Sequence, residues 1–143
     1  MIAKNRKAYH EYFITDTYEA GIVLTGTEIK SARNGKLSFV DAFCVFINDE
    51  LFIKGMHIAE YKEGNIWNHE PKRDRKLLLN RQELKKLGKS IKGTGMTIVP
   101  LKAYINKTGY LKIEIGLAKG KKLYDKKNEL RLKEYVKEVR ERE

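Results

Sequence analysis

The sequence predicts a mainly β domain closed, or partly closed, into a small antiparallel barrel, with two or three short helices and a basic C-terminal tail. Three observations predict it. Short apolar runs alternate with turn signals from about Tyr9 to Ala118. No strand–helix repeat of regular spacing points to a parallel sheet. After Lys119 the chain becomes almost wholly charged. An open sheet of this size has edges to protect, and closure removes them. The expected organisation is a barrel domain over residues 1–118 followed by a tail over 119–143, disordered or helical.

The first element is a long strand from Tyr12-Phe13-Ile14 to Leu24, with Gly21 marking a bulge or bend. Thr27 to Arg33 forms a short helix, capped by Thr27 and stopped by Asn34-Gly35. Phe39 to Ile47 is a strand, Asn48-Asp49 a tight hairpin turn, and Leu51-Phe52-Ile53 the returning strand. Tyr61 to Pro71 lacks a period and forms a loop. After the apolar Leu77-Leu78-Leu79, Asn80 and Glu83 make a capping box for a helix through Leu84 and Leu87, stopped by Gly88. A strand from Thr97 to Ile105 breaks near Pro100. Asn106 to Gly109 turns the chain into a last strand, Tyr110 to Ile115.

Charge is the main functional signal. The 143 residues hold 30 Lys and Arg against 19 Asp and Glu, a formal net charge of +11. A small domain this basic has a polyanionic partner, nucleic acid before an anionic membrane surface. Residues 72–92 concentrate the signal: Lys72, Arg73, Arg75, Lys76, Arg81, Lys85, Lys86, Lys89 and Lys92 face only Asp74 and Glu83. Arg81, Lys85 and Lys89 recur at one-turn spacing, so they repel one another unless phosphates neutralise them. The plainer reading is a solvated helix face. Gly116 to Lys122 lacks the spacing and the hydroxyl residue of a nucleotide-binding loop. It reads as a glycine hinge loaded with cations.

Other classes find less support. A lone cysteine, Cys44, allows no intrachain disulfide. No apolar run follows the basic N-terminus, and none reaches the roughly 20 residues a membrane span needs. A signal peptide and a membrane role are therefore not expected, and the compartment is the cytoplasm. His10, His57 and His69 lack metal-ligand spacing, Ser31, Ser38 and Ser90 sit in no nucleophile motif, and Cys44 belongs to an apolar strand. No catalysis and no cofactor are expected.

In the tail, Leu132, Val136 and Val139 form a thin apolar stripe, and Glu129–Lys133 and Glu138–Arg142 are helix-stabilising pairs. So narrow a stripe buries little, which suits a segment that folds on binding. A solvated end helix is the other reading.

Four words in order carry a resemblance. They are Asn5-Arg6-Lys7-Ala8 with Tyr12-Phe13-Ile14 and Tyr18 to Ile22; Gly26 to Arg33; Pro71, Arg73 and Arg75 to Leu79; and Gly116 to Lys122 with Asp125-Lys126. Together they resemble the SmpB family. The resemblance implies an OB-type barrel. It implies a monomeric adaptor that binds the tRNA-like domain of transfer-messenger RNA (tmRNA, or SsrA) and delivers it to stalled ribosomes for trans-translation. It places Glu19, Glu28, Arg33, Arg75, Lys76, Leu78 and Lys112 on the RNA face, and Lys119, Lys121 and Lys122 at an RNA-proximal junction. Tyr124, Asp125, Lys126 and Lys127 would face the decoding centre of the small ribosomal subunit, with the tail in its messenger channel. The family's usual Arg is Lys127 here, which replaces a bidentate fork with a point charge, and residues 130–143 depart from the family's word.

The carboxylates need an account of their own. Glu19 repels phosphate, but it can accept hydrogen bonds from a base or a ribose. Alternatively Glu19 or Glu28 orients a neighbouring cation, and Leu78 is either core or a surface for a base. A general single-strand binder would instead use Trp67, Tyr104 and Tyr110 as stacking platforms. An RNA-processing enzyme would show divalent-dependent turnover.

Overall fold

The computed structural model describes residues 1–62 and 68–121. The expectations for Trp67, Lys122, Tyr124, Asp125, Lys126, Lys127 and the tail beyond them lie outside the described residues. The elements run β1 (Ala3–Lys4), α1 (Arg6–Glu11), β2 (Tyr12–Ile22), α2 (Gly26–Arg33), β3 (Leu37–Ser38), β4 (Phe43–Ile47), β5 (Glu50–Lys54), β6 (His57–Ile58), β7 (Arg75–Leu78), α3 (Arg81–Ile91), β8 (Met96–Ile105) and β9 (Leu111–Gly120).

Seven strands form one antiparallel sheet in the order β1-β8-β9-β2-β7-β5-β4, and β3 pairs with β6. The closed barrel is corrected here: the sheet is a curled half-barrel, and its end strands β1 and β4 do not pair with each other. The reason is physical. β1 supplies only two residues, and β4 passes near β8 without a ladder. Helix α3 packs into this region, adding Leu84, Leu87 and Ile91 to a core with Phe46, Met96 and Ile98. Leu51, Ile53, Met56, Ile58, Leu77, Ile113 and Ile115 are fully or almost fully buried in that core. Each such aliphatic side chain contributes about 1.5–3 kcal/mol over its exposed state. Cys44 is also buried, and burial pushes its thiol up to about 12.

Strand β2 joins the two halves of the sheet. It pairs with β9 from Tyr12 to Ala20, then with β7 at Gly21 and Ile22. The irregularity expected at Gly21 is instead a change of partner. The register shift falls at Thr15, whose hydroxyl donates to the Leu117 carbonyl at 3.2 Å.

The structure has two capping boxes; one was expected, and at the other helix the cap falls two residues earlier than expected. Thr25, not Thr27, caps α2: its Oγ1 accepts from Glu28 N–H at 3.4 Å and its N–H donates to Glu28 Oε1 at 2.8 Å. The helix ends at Asn34, and Gly35 takes the left-handed φ of +78°. Asn80 and Glu83 cap α3 as expected, but the helix passes Gly88 and stops after Ile91. A glycine costs a helix about 1 kcal/mol relative to alanine, less than burying the Leu87 side chain returns. Asn48 and Asp49, at φ +52° and +66°, make the hairpin turn.

Strands β8 and β9 are longer than the pattern suggests. β8 continues through Pro100, with a register shift before Lys102, and the Pro100 carbonyl accepts from Asn5 Nδ2 at 2.8 Å. β9 runs to Gly120, across the expected division after Ala118. The expected hinge at Gly116 is corrected: the residue is mid-strand, and a Cβ there would lie 2.9 Å from Ile14 Cγ2 and from Leu101 Cδ1. Glycine is required by packing, not by flexibility.

Candidate nucleic-acid interface

Glu28, Arg73 and Arg75 form an ionic knot. Arg75 Nε donates to Glu28 Oε2 at 2.7 Å, and Arg73 donates to both carboxylate oxygens, Nε at 2.9 Å and Nη2 at 2.8 Å. Arg75 also donates to the carbonyls of Met56, Pro71 and Arg73. Glu28 and Arg75 are 0% exposed. The expectation of direct RNA contact is therefore corrected for these two: their polar atoms are turned inward and used. Burial pushes the Glu28 carboxyl up, but hydrogen bonds from Arg73, the Thr25 N–H and Arg75, with the Arg75 charge, bring it below its ordinary value. The reading that Glu28 orients a neighbouring cation matches this geometry. Alongside, His69 Nε2 donates to the Ile58 carbonyl at 2.8 Å, leaving Nδ1 to accept from the Thr27 hydroxyl at 2.9 Å.

On the outer side of the sheet, Leu78 and Lys112 meet at Gly21, and Glu19 lies on the same face of β2 by strand alternation. Gly21 pairs with Leu78 across β2 and β7. A Cβ at Gly21 would lie 3.4 Å from Leu78 Cβ and 3.7 Å from Lys112 Nζ. Leu78 is 48% exposed, which decides between the two readings of it: it is surface, not core. Glu19, two residues before Gly21, is exposed and accepts a hydrogen bond from the Tyr104 hydroxyl. Partial burial, then that bond and the charges of Glu19 and Glu114, push the phenol up to about 12. Arg33 borders the same end of the sheet, donating from Nη2 to the Gly109 carbonyl at 2.6 Å.

The basic belt divides in two. Its first half is neutralised within the fold: Lys72 pairs with Asp41 at 3.0 Å, Arg73 and Arg75 with Glu28, and Lys76 with Glu50 at 2.8 Å. In its second half Arg81, Lys85, Lys86, Lys89 and Lys92 are exposed, and among the described residues none forms an ion pair. These cations border a groove between α3 and the Asn48–Glu50 turn. Like charges this close are held by the fold alone, so a polyanion would relieve them.

A third cluster lies at the other end of β9. Lys119 pairs across to Phe13 and to Met96. Lys121 Nζ sits 5.1 Å from the Phe13 ring centre and 3.4 Å from the Tyr9 carbonyl, and Lys4 lies 5.1 Å from the Tyr9 ring. The strand rise places this cluster about 30 Å from Lys112.

Sequence reasoning missed three participants. Arg73 was one cation of the belt, Gly21 a bulge signal, and Tyr104 a stacking candidate, whereas here Tyr104 holds Glu19. Strand alternation puts Lys102, Tyr104, Lys112 and Glu114 on one face, but which strands adjoin is not written locally.

A curled β-sheet that carries an exposed Leu78 and Glu19 and a half-buried Lys112 on one face, beside a helix whose cations form no ion pair among the described residues, fits a nucleic-acid-binding class of protein. Comparison with known proteins makes this specific. The family model described as SmpB protein matches residues 2–143. The SsrA-binding proteins of Acetivibrio thermocellus and Enterococcus faecalis are each 54% identical over 139 residues, 97% of this chain and 90% of theirs. That of Streptococcus pneumoniae is 52% identical over 139 residues, 97% of this chain and 89% of its own. A solved structure described as "tmRNA-SmpB: a journey to the center of the bacterial ribosome" contains a chain 47% identical, with a TM-score of 0.68 over 82% of each chain. The chain belongs to the SmpB family.

Proposed function

We propose that this protein binds the tRNA-like domain of tmRNA and delivers it to stalled ribosomes for trans-translation, as an adaptor with no catalytic step. The observation that carries the reading is the face on which Leu78 and Lys112 meet at Gly21, with Glu19 two residues along the same strand, in a chain of this family. Relatives named for SsrA binding and a structural neighbour with tmRNA on the bacterial ribosome support both partners.

In this reading Leu78 packs on a base or ribose, Lys112 meets phosphate, and Glu19 accepts from base or ribose donors. Arg33 and Lys76 flank that face. Glu28 and Arg75 brace it from inside, tying α2 to β7. The α3 cations add phosphate contacts and affinity. Lys119, Lys121 and Lys122 serve the junction, and Tyr124, Asp125, Lys126 and Lys127 the decoding centre. Residues 1–118 carry RNA recognition and 119–143 the ribosomal role. The curled sheet suits an OB-type barrel with an open seam. Among the described residues no helix is long and apolar enough to cross a membrane, and the proposed place of action is the cytoplasm.

The test is a binding titration of the full chain against tmRNA and against an unstructured RNA of equal length. Selective binding of tmRNA, weakened by Leu78→Ala and by Lys112→Ala, is expected. Equal affinity for both RNAs would reduce the protein to a general basic RNA binder.

A further inference from the structure

Glu19 is out of place by charge. It stands on the face proposed to meet a polyanion, and among the described residues it forms no ion pair. Its neighbour across the strand pair, Glu114, is instead matched with Lys102 at 3.6 Å. Among the described residues Tyr104 engages Glu19, reaching over β9 from β8 to donate its hydroxyl. A phenol bonded to one carboxylate oxygen fixes the group's rotation and leaves acceptor sites open, since a carboxylate offers about four. Two residues along β2 and on the same face, Gly21 has no side chain, and a Cβ there would lie 3.4 Å from Leu78 Cβ and 3.7 Å from the Lys112 ammonium. A fixed acceptor pair, an apolar wall and a small open floor suit a planar group that carries donors on its edge.

We propose that Glu19, positioned by Tyr104, reads one unpaired guanine of the bound RNA, accepting from N1–H and from the N2 amino group while the base packs against Leu78. The proposal rests on the RNA-binding reading above and assigns the chemistry of its face. The choice among bases follows from their edges. Guanine is the one base whose Watson–Crick edge presents two adjacent donors, which match the two oxygens of a carboxylate. Adenine and cytosine present a single amino group beside an acceptor nitrogen that the carboxylate repels. Uracil presents one N–H between two carbonyls. Unpaired bases expose these edges, whereas duplex RNA hides them. Lys112 then neutralises the nearby phosphate or meets the guanine O6, and the carboxylate pays no net repulsion. The raised phenol keeps its proton throughout the range in which RNA binding is measured, so Tyr104 remains a donor.

Nucleotide-analogue interference on the full chain tests the proposal. Pools of tmRNA carry phosphorothioate inosine at sparse guanosine positions. Inosine lacks only the N2 amino group. Bound and unbound pools are cleaved with iodine and compared with pools carrying phosphorothioate guanosine, and parallel pools carry adenosine and cytidine analogues without their amino groups. The wild-type chain is expected to exclude inosine at one or more unpaired guanosines by roughly five- to a hundred-fold, the discrimination of a good bidentate contact. Glu19→Gln should abolish that exclusion at the same positions, and Tyr104→Phe, which keeps the ring, should reduce it. A merely structural role for Tyr104 would weaken binding to all pools alike and leave the inosine pattern intact. Retention of tmRNA without an inosine effect, an effect unchanged in Glu19→Gln, or interference at adenosine or cytidine in its place would each overturn the guanine reader alone. Failure of the wild-type chain to prefer tmRNA would overturn the RNA-binding reading itself, and the reader with it.

Discussion

Arg75 Nε lies 2.7 Å from Glu28 Oε2, and neither side chain is exposed. A buried pair of this kind is a poor source of stability by itself, because desolvating both ions offsets their attraction. Removing one partner is another matter, since the other charge is left buried and unmatched.

Glu28→Ala should therefore destabilise the protein by about 3–5 kcal/mol, read from urea denaturation. A double change of Glu28 and Arg75 to apolar residues of similar volume should cost less than Glu28→Ala alone. A loss below about 1 kcal/mol for the single variant would mean that water reaches Arg75 freely.

Acid should act on the same knot. The Glu28 carboxyl is lowered in the folded state from its ordinary value of 4.5. The folded state therefore binds this proton less readily than the unfolded chain. Its contribution is fully present above pH 4.5 and disappears as pH falls through the lowered folded value. Glu28→Gln should flatten that part of the acid-unfolding profile. An unchanged slope in the variant would place the acid sensitivity elsewhere.

The two halves of the basic belt should respond differently to mutation. Lys85→Ala and Lys89→Ala remove cations without ion-pair partners among the described residues, and each should lower the log–log salt slope by about 0.7–0.9. The loss should be similar for all RNA sequences. Lys76→Ala also removes an internal pair with Glu50, so its effect on the slope should be smaller. Equal slopes for all three variants would show that Lys76 exchanges Glu50 for phosphate on binding.

Gly21→Ala tests the floor beside Leu78 and Lys112. A Cβ there meets Leu78 at an ordinary contact distance of 3.4 Å, so the fold should survive within about 1 kcal/mol. The added methyl group should stand between Leu78 and Lys112 and the RNA and weaken tmRNA binding by about ten-fold, or 1.4 kcal/mol. Binding unchanged alongside an unchanged melting temperature would remove this cluster from the interface.

Features encoded by neighbouring residues were legible in the sequence. The Asn80–Glu83 capping box, the Asn48-Asp49 turn and the left-handed Gly35 each need only a few adjacent positions, and all three formed. Features that depend on distant partners were not. Glu28 carries two roles, closing a local capping box with Thr25 and binding Arg73 and Arg75, 45 and 47 residues away. Nothing local distinguishes that carboxylate from a surface one. The motifs brought Glu19, Leu78 and Lys112 to attention, but the meeting of Leu78 and Lys112 at Gly21 follows from β2 changing partners. Helix α1 and strand β1 went unanticipated because a six-residue helix and a two-residue strand are too short to show a period. The half-barrel likewise depends on register and strand length across the whole sheet.

Strand β9 also acts as a ruler. Lys112 stands near one end of it and Lys121 just past the other, and a β-strand has a nearly fixed rise per residue. The proposed tmRNA face and the proposed junction at Lys119 and Lys121 are thus held at a set separation along one strand. Two residues inserted in register into both β9 and β2 would lengthen that gauge by about 7 Å. RNA affinity would remain, but the proposed tmRNA face and the proposed junction would lose the spacing set for joint use on one ribosome.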